Sequence, residues 1–423
     1  MNKSVLRAAA IACLPFAAMA LAVTSAQAEE KKAEAPKVSK AVSKFLVECK
    51  KGVDTKDWKL ALDNCHQAEA VAEATDYDKY LTQRLLAVAY LNTNDHAKAG
   101  QSFVSVVKNP ATPPEDRDTL IAPAIQLANE ANNNAMVIEL GQLAVKYNVK
   151  SPEVWNAMAA AYYQSNDSAN ALTFAQKGID AANAAGKIPP YGLYQIIAFT
   201  YDKAKDRANE VKAFELMARD YGKPDDWRYL LDFSMEILPP GNKKIAALNL
   251  YRLRIQSGAT WVGQNFLEAE DSAHAIRSWG DSRTFLQMGV QQGALIAAKV
   301  APVMKQINDD AKKDEPILAT VEKSAKSSKD LANVAEAYFG YARYAEAARA
   351  AQKAIDAGGA GVGEAQLVLA MSQVKQGDEA AAKATLAKFS GDAALGRAAQ
   401  LWNLYLDRRY GKTAAAAAPA PAK

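Results

Sequence analysis

The segment Pro152–Gly178, PEVWNAMAAAYYQSNDSANALTFAQKG, states in one place a pattern that much of the 423-residue chain repeats in pieces. Trp155, Met158, Ala159 and Tyr162 recur at three- and four-residue steps, the stripe with which a helix buries one face. After Ser165-Asn166-Asp167 the same spacing resumes at Ala171, Ala175 and Gly178, so the segment reads as a helix-turn-helix. Its small residues constrain it further. Ala159 and Ala171 leave little bulk between the two helices and let the backbones approach, while Trp155 and Tyr162 fill the space toward the next hairpin. No segment of the chain sustains period-two alternation, and alanine is abundant where β-branched runs are scarce. These features predict an all-α chain built by stacking hairpins.

The same unit can be followed along the sequence. A first hairpin carries Phe45 and Cys49, a turn at Thr55-Lys56-Asp57, then Ala61, Cys65 and Ala68. A second carries Leu86, Ala87 and Tyr90, a turn at Asn94-Asp95, then Ala99 and Phe103 before Pro110. A third, from about Asp116 to Asn148, keeps the length but blurs the signature, with Pro123 opening or kinking its first helix. Pro190 to Tyr221 restores it through Tyr194, Ala198, Tyr201 and Phe214, although Glu210 stands where a small residue is usual. Residues 223–326 stay helical while the pattern decays, with a loop at Pro239-Pro240-Gly241 and a further unit expected from Trp261 to Leu295 around a turn at Trp279-Gly280-Asp281. From Ser328 the signature returns at Val334, Ala335, Tyr338, Ala347, Ala351 and Ala354, and again around Gly377-Asp378. Ala393 to Tyr410 is expected to cap the last repeat, as terminal repeats of solenoids require.

The Pro152–Gly178 spacing resembles the tetratricopeptide (TPR) consensus, W-x2-L-G-x2-Y…A-x3-F…P, with Ala159 at its glycine and Ala175 at its phenylalanine. The resemblance covers most of residues 41–222 and 328–390 and implies a TPR-like α-solenoid, a right-handed superhelix of antiparallel hairpins. It implies a fold and says nothing about a substrate.

The ends of the chain place it. Lys3 and Arg7, the apolar run Ala8–Val23 and the small-residue site Ala26-Gln27-Ala28 read as a cleaved secretory signal over residues 1–28. An anchor is the competing reading, but the run holds Pro15 and falls short of the roughly 20 residues a spanning helix needs. Lipid attachment at Cys13 is a more distant one, since too short an apolar run precedes it. Residues 29–40 form a charged leader, and residues 411–423 an Ala/Pro low-complexity tail expected to be disordered. With the TPR-like repeats, this organisation is similar to that of the secreted TPR proteins of proteobacteria and predicts a periplasmic location. Cleavage would leave Cys49 and Cys65 as the only cysteines, in a compartment that oxidises thiols, on facing helices of the first hairpin; a disulfide is expected between them. It would also leave 49 basic against 47 acidic residues, too even a balance to attract nucleic acid or an anionic membrane.

Catalytic chemistry is hard to find. His66, His96 and His274 fall in three separate units without metal-ligand spacing, and Cys49, Cys65 and His66 lack a fourth ligand for a structural zinc site. The glycines from Gly358 to Gly363 follow a helix rather than a strand, and Gly411-Lys412-Thr413 lacks the first glycine of a P-loop. The pairs Asp225-Asp226 and Asp309-Asp310 stand in polar, turn-like stretches with nothing to raise a pKa. No catalytic residue, cofactor or metal is therefore expected. Two function classes remain: a scaffold that binds a protein or peptide of the cell envelope, and an envelope enzyme that uses a solenoid as platform, as soluble lytic transglycosylases do. Glycan cleavage would need an appended catalytic domain, and helical repeats run almost to the tail, so the scaffold is favoured.

In a TPR-like unit the first helix lines the concave face, and positions beside its buried stripe are free of packing constraint. Those positions are Arg84 and Asn92 in the second unit, Asn156 and Tyr163 in the fourth, Gln195, Phe199 and Asp202 in the fifth, and Arg228 and Asp232 in the next. They mix amide, aromatic and charged groups. Val88 and Ala160 stand where a carboxylate-clamping TPR would carry asparagine, so an extended or helical segment held by apolar and amide contacts is expected. Tyr163 and Phe199 would be its anchors, large aromatics being enriched at interface hot spots. The alternative is that both rings pack between adjacent helices.

Overall fold

The structure, a computed structural model, describes residues 37–408; the signal segment, most of the charged leader and the low-complexity tail lie outside the described residues. The described residues are helices and the loops between them, most of the helices paired as hairpins. In order they are α1 (Lys40–Thr55) with α2 (Trp58–Glu69), α3 (Asp76–Asn92) with α4 (His96–Lys108), α5 (Pro114–Glu130) with α6 (Asn134–Lys146), and α7 (Pro152–Gln164) with α8 (Ser168–Ala184). Then come α9 (Tyr191–Lys203) with α10 (Arg207–Asp220), α11 (Pro224–Glu236) with α12 (Lys243–Ser257), and α13 (Gly263–Ala275) with α14 (Trp279–Gln291). The long α15 (Ala297–Asp314) leads through a 3-10 turn at Glu315–Ile317 into the short α16 (Leu318–Ser324). Last are α17 (Ser328–Gly340) with α18 (Tyr344–Ala357), α19 (Val362–Lys375) with α20 (Glu379–Leu386), and α21 (Ala393–Leu406). The chain is an all-α, TPR-like solenoid. No helix among the described residues is long and apolar enough to cross a membrane.

One turn is used again and again. A residue in the left-handed region is followed by one that opens the next helix: Asn94-Asp95, Asn132-Asn133, Asn166-Asp167, Lys205-Asp206, Arg277-Ser278, Ala342-Arg343 and Gly377-Asp378. In each, the N–H of the second residue reaches back five positions to a carbonyl of the closing helix, as from Asp167 to Tyr162 and from Ser278 to Ala273, both at 2.9 Å. Where that residue is Asp or Asn its side chain also accepts the N–H three positions on and caps the second helix. A non-glycine residue in the left-handed region costs about 1–2 kcal/mol, which the restored hydrogen bonds at both helix ends offset. The blurred third unit has this turn too, and Pro123 lies inside α5.

The same rule moves the turn expected at Trp279-Gly280-Asp281. The connection is Arg277-Ser278, and those three residues form the first turn of α14. Gly280 is there for proximity instead: a Cβ on it would stand 2.1 Å from the carbonyl oxygen of Gly340 at the end of α17.

The apolar core runs through the stack and divides at α7, whose Trp155 and Met158 belong to the N-terminal core and whose Ala159 belongs to the C-terminal one. Phe174 of α8 stacks on Tyr162 at 5.4 Å, so that ring fills its own hairpin. Cys49 and Cys65 are joined by a disulfide between α1 and α2, with Cα atoms 5.2 Å apart.

The C-terminal half departs from an open stack. In α12 every residue from Leu248 to Arg254 is buried, so no face is left to solvent and the helical stripe vanishes from the sequence. One side of it is covered by α21, which returns across the chain. The Trp402 indole donates to the carbonyl of Asn249 (3.1 Å), and the Trp402 ring is almost fully buried. Arg397 reaches Glu215 of α10 (2.5 Å) and Ser234 of α11 (2.9 Å). Asp392, the cap of α21, accepts from the backbone and side-chain nitrogens of Asn242 at 3.0 and 2.8 Å. Helix α21 therefore covers more than the last hairpin: it ties that hairpin to the middle of the chain. On another side, Arg252 bridges Asp281 of α14 (2.6 Å) and Glu336 of α17 (2.7 Å).

Two outcomes follow from these contacts. Replacing both Cys49 and Cys65 by alanine should lower unfolding free energy by about 3 kcal/mol, the loop-closure value for the 16-residue separation, measured by urea unfolding. Trp402→Ala should cost about 3–5 kcal/mol and raise amide hydrogen exchange in α12 as well as in α21; protection lost in α21 alone would mean that the bridge does not support the middle of the chain.

Candidate functional site

A cleft of about 400 Å³ opens between α9 and α11, with α10 lining it from behind. From α9 come Tyr191, Gln195, Ala198, Phe199 and Asp202, residues three, four or seven apart that share one helix face. The opposite face, with Leu193, Tyr194 and Ile196, is buried. From α11 come Asp225, Asp226, Tyr229 and Phe233, while Trp227, Leu230, Leu231 and Ser234 turn into the core. Helix α10 supplies Glu210, Phe214 and Met217.

The aromatic wall is continuous. Phe214 lies 5.3 Å from Tyr229 and 5.7 Å, edge to face, from Phe233, and the last two are 5.8 Å apart. Phe199 remains 50% exposed at the rim, with no other aromatic ring stacked on it among the described residues. Cations of the chain lie over the other rings: Lys223 Nζ is 3.2 Å from the centre of Tyr191, the Arg207 guanidinium 3.8 Å from Phe233, and Arg228 4.0 Å from Tyr229. Such contacts hold the rings in fixed orientations.

Four carboxylates line the same cleft. The Tyr191 hydroxyl donates to Asp226 (2.6 Å), and burial lifts the Asp226 carboxyl above its ordinary range against that hydrogen bond. Burial likewise lifts Glu210, opposed by Arg207 at 2.5 Å. Hydrogen bonds from Thr260 and Arg228 hold Asp225 below the usual range. Burial first, and then the bond to Asp226, push the Tyr191 phenol upward. The cleft thus offers apolar surface with acceptors at its margins, which suits a partner bringing aliphatic or aromatic groups and hydrogen-bond donors.

The positions singled out in the sequence divide. Gln195, Phe199 and Asp202 converge on the cleft. Arg228 stands at its edge, bonded to Asp225. Asp232 faces elsewhere, paired at 2.5 Å with the fully buried Arg254. Arg84 donates to Tyr80 and Asp116, both at 2.8 Å, and so ties α3 to α5. Asn92 is exposed and bonds to its own helix at Val88. Asn156 is half-buried against Gly192, where a Cβ would meet its Oδ1 at 2.7 Å. Tyr163 is half-buried against the core and does not line the cleft.

Sequence reasoning chose Arg228 and Asp232 on α11 and missed the cleft residues Asp225, Asp226, Tyr229 and Phe233. The signal available was a second stripe: Tyr229 and Phe233, four residues apart, lie to one side of the stripe of Trp227, Leu230, Leu231 and Ser234. Among the described residues no group of three or more His, Cys, Asp or Glu is arranged to hold a metal ion.

No family model matches the chain, and no curated protein matches it. Solved structures with which it shares helical repeats include the crystal structure of MamA protein, at 12% identity over 47% of this chain and 93% of that one, with a TM-score of 0.32. The structure of Naa15/Naa10 bound to HypK-THB matches at 11% identity over 82% of this chain and 63% of that one, TM-score 0.23. The APC/C hetero-tetramer Cut9-Hcn1 matches at 10% identity over 86% and 83%, TM-score 0.23. What those proteins bind says nothing about this chain.

The division of residues has a measurable side. Asp232→Ala would leave Arg254 buried with its charge unpaired and should cost about 3 kcal/mol. Phe199→Ala should change unfolding free energy by less than about 0.5 kcal/mol, because the ring is half exposed. Thermal and urea unfolding of the two variants separate a structural from a surface role.

Proposed function

We propose that the protein is a periplasmic scaffold, of the kind proteobacteria secrete through a cleaved signal, that binds an extended or helical segment of a cell-envelope protein in the cleft between α9 and α11. The observation that carries this reading is the convergence of Gln195, Phe199 and Asp202 with Tyr229 and Phe233 around one opening, with Phe199 half exposed at its rim. An exposed aromatic beside preorganised rings is the composition of an interface hot spot. A partner would gain by covering it, since the cleft walls are already fixed by their ion pairs and need little reordering. The location rests on the signal-like residues 1–28 and agrees with the bridged Cys49 and Cys65, because disulfides persist in oxidising compartments. The role proposed is binding: from Lys40 to Leu406 the described chain is a succession of helices, the form in which a solenoid presents a surface to a partner.

Selection of a displayed peptide library on the purified protein tests the reading. Selected peptides should bind Phe199→Ala at least about tenfold more weakly than the wild type, with an unchanged melting temperature. Equal affinity for both, or glycan cleavage by the wild-type protein, would overturn it.

A further inference from the structure

Two rings of the α9–α11 cleft are held from a helix that does not line it. Phe214 on α10 and Phe233 on α11 meet edge to face at 5.7 Å in its wall, and the next residue along each helix is bonded to one guanidinium on α21. Arg397 donates from Nη1 to Glu215 Oε1 at 2.5 Å and from Nη2 to the Ser234 hydroxyl at 2.9 Å. Its side chain is only 13% exposed and that of Glu215 20%, and Glu215 pairs with no other cation among the described residues. Among the described residues none of α21 lines the cleft.

One step along a helix turns the side chain by about 100°, so Glu215 and Ser234 point away from the opening that Phe214 and Phe233 face. A guanidinium is planar and its donors are fixed relative to one another, so two acceptors bound to one fork are held at one separation. The fork therefore sets the spacing of α10 and α11 directly behind the two rings. The other ties of α21, from Trp402 to Asn249 and from Asp392 to Asn242, fasten it to α12 and to the residue before α12, away from the cleft.

We propose that Arg397 is a positioning residue for the partner cleft, and that occupation of the cleft and docking of α21 stabilise one another through it. The proposal rests on the reading of that cleft as a partner site. A segment that binds best when Phe214 and Phe233 stand at their observed separation favours docked α21, and reciprocity requires docked α21 to favour the segment by the same factor. A guanidinium that only held the fold together would act on stability alone. Folded protein without it would bind as well as before, and a bound segment would leave α21 unchanged.

Two measurements with a Phe199-dependent peptide from the display selection test the proposal: amide hydrogen exchange of the wild-type protein with and without saturating peptide, and titration of the peptide into folded Arg397→Ala well below its melting temperature. The peptide should slow exchange in Ala393–Leu406. Arg397→Ala should abolish that slowing and weaken the peptide at least about fivefold, the lower end of usual coupling factors. Should Arg397→Ala fail to fold, Ser234→Ala removes the α11 arm alone and should weaken the peptide by about threefold or more. Peptides that need Phe199 but bind the folded variant as tightly as the wild type, or that leave exchange in α21 unchanged, would overturn this proposal while the partner cleft stands. If no selected peptide depends on Phe199, both readings fall.

Discussion

The buried guanidinium of Arg252 is the contact on which the C-terminal half depends. Taking that charge out of water costs several kcal/mol, and only well-placed carboxylates repay it. Here they come from two other helices, Asp281 on α14 and Glu336 on α17, with Ser278 donating to Asp281 at 2.7 Å. A hydrophobic contact tolerates sliding; this one does not. The register of α12 against α14 and α17 is therefore set by where these ion pairs can close. Gly280 reinforces it, because only a residue without a side chain lets α14 come so near the end of α17.

This arrangement explains where the sequence could be read and where it could not. Hairpins packed only on their neighbours keep one wet face, so α7 and α8 display their stripe openly in Trp155, Met158, Ala159, Ala171 and Ala175. Their turns are legible too, in Asn94-Asp95, Asn166-Asp167 and Gly377-Asp378, since asparagine and glycine enter the left-handed region readily and aspartate caps. Arg277-Ser278 gives no such hint, and the turn was displaced by two residues in consequence. In α12 the stripe is lost because all its sides are covered, and the covering helix lies 153 positions away at Trp402. Local periodicity carries no information about so distant a partner.

The candidate site follows the same division. The α9 half of the cleft obeys the repeat geometry, so counting from the buried stripe finds Gln195, Phe199 and Asp202. The α11 half sits where the repeat begins to bend toward α12 and α21, and there the same count lands on Asp232, which serves Arg254. Ion pairing, invisible in a single sequence, likewise draws Arg84 into the scaffold through Asp116.

The return of α21 onto α12 bears on how the chain is made. An open solenoid can fold unit by unit as it emerges, each hairpin settling on the one before. Here the indole that covers Asn249 is synthesised 153 residues later. In whatever setting the chain is threaded out, α12 emerges well before its cover. During that interval the apolar surface of α12 has no permanent cover, and α10 and α11 lack the ion pair and hydrogen bond from Arg397. The N-terminal hairpins can be complete while residues 224–257 still lack the helix that covers them.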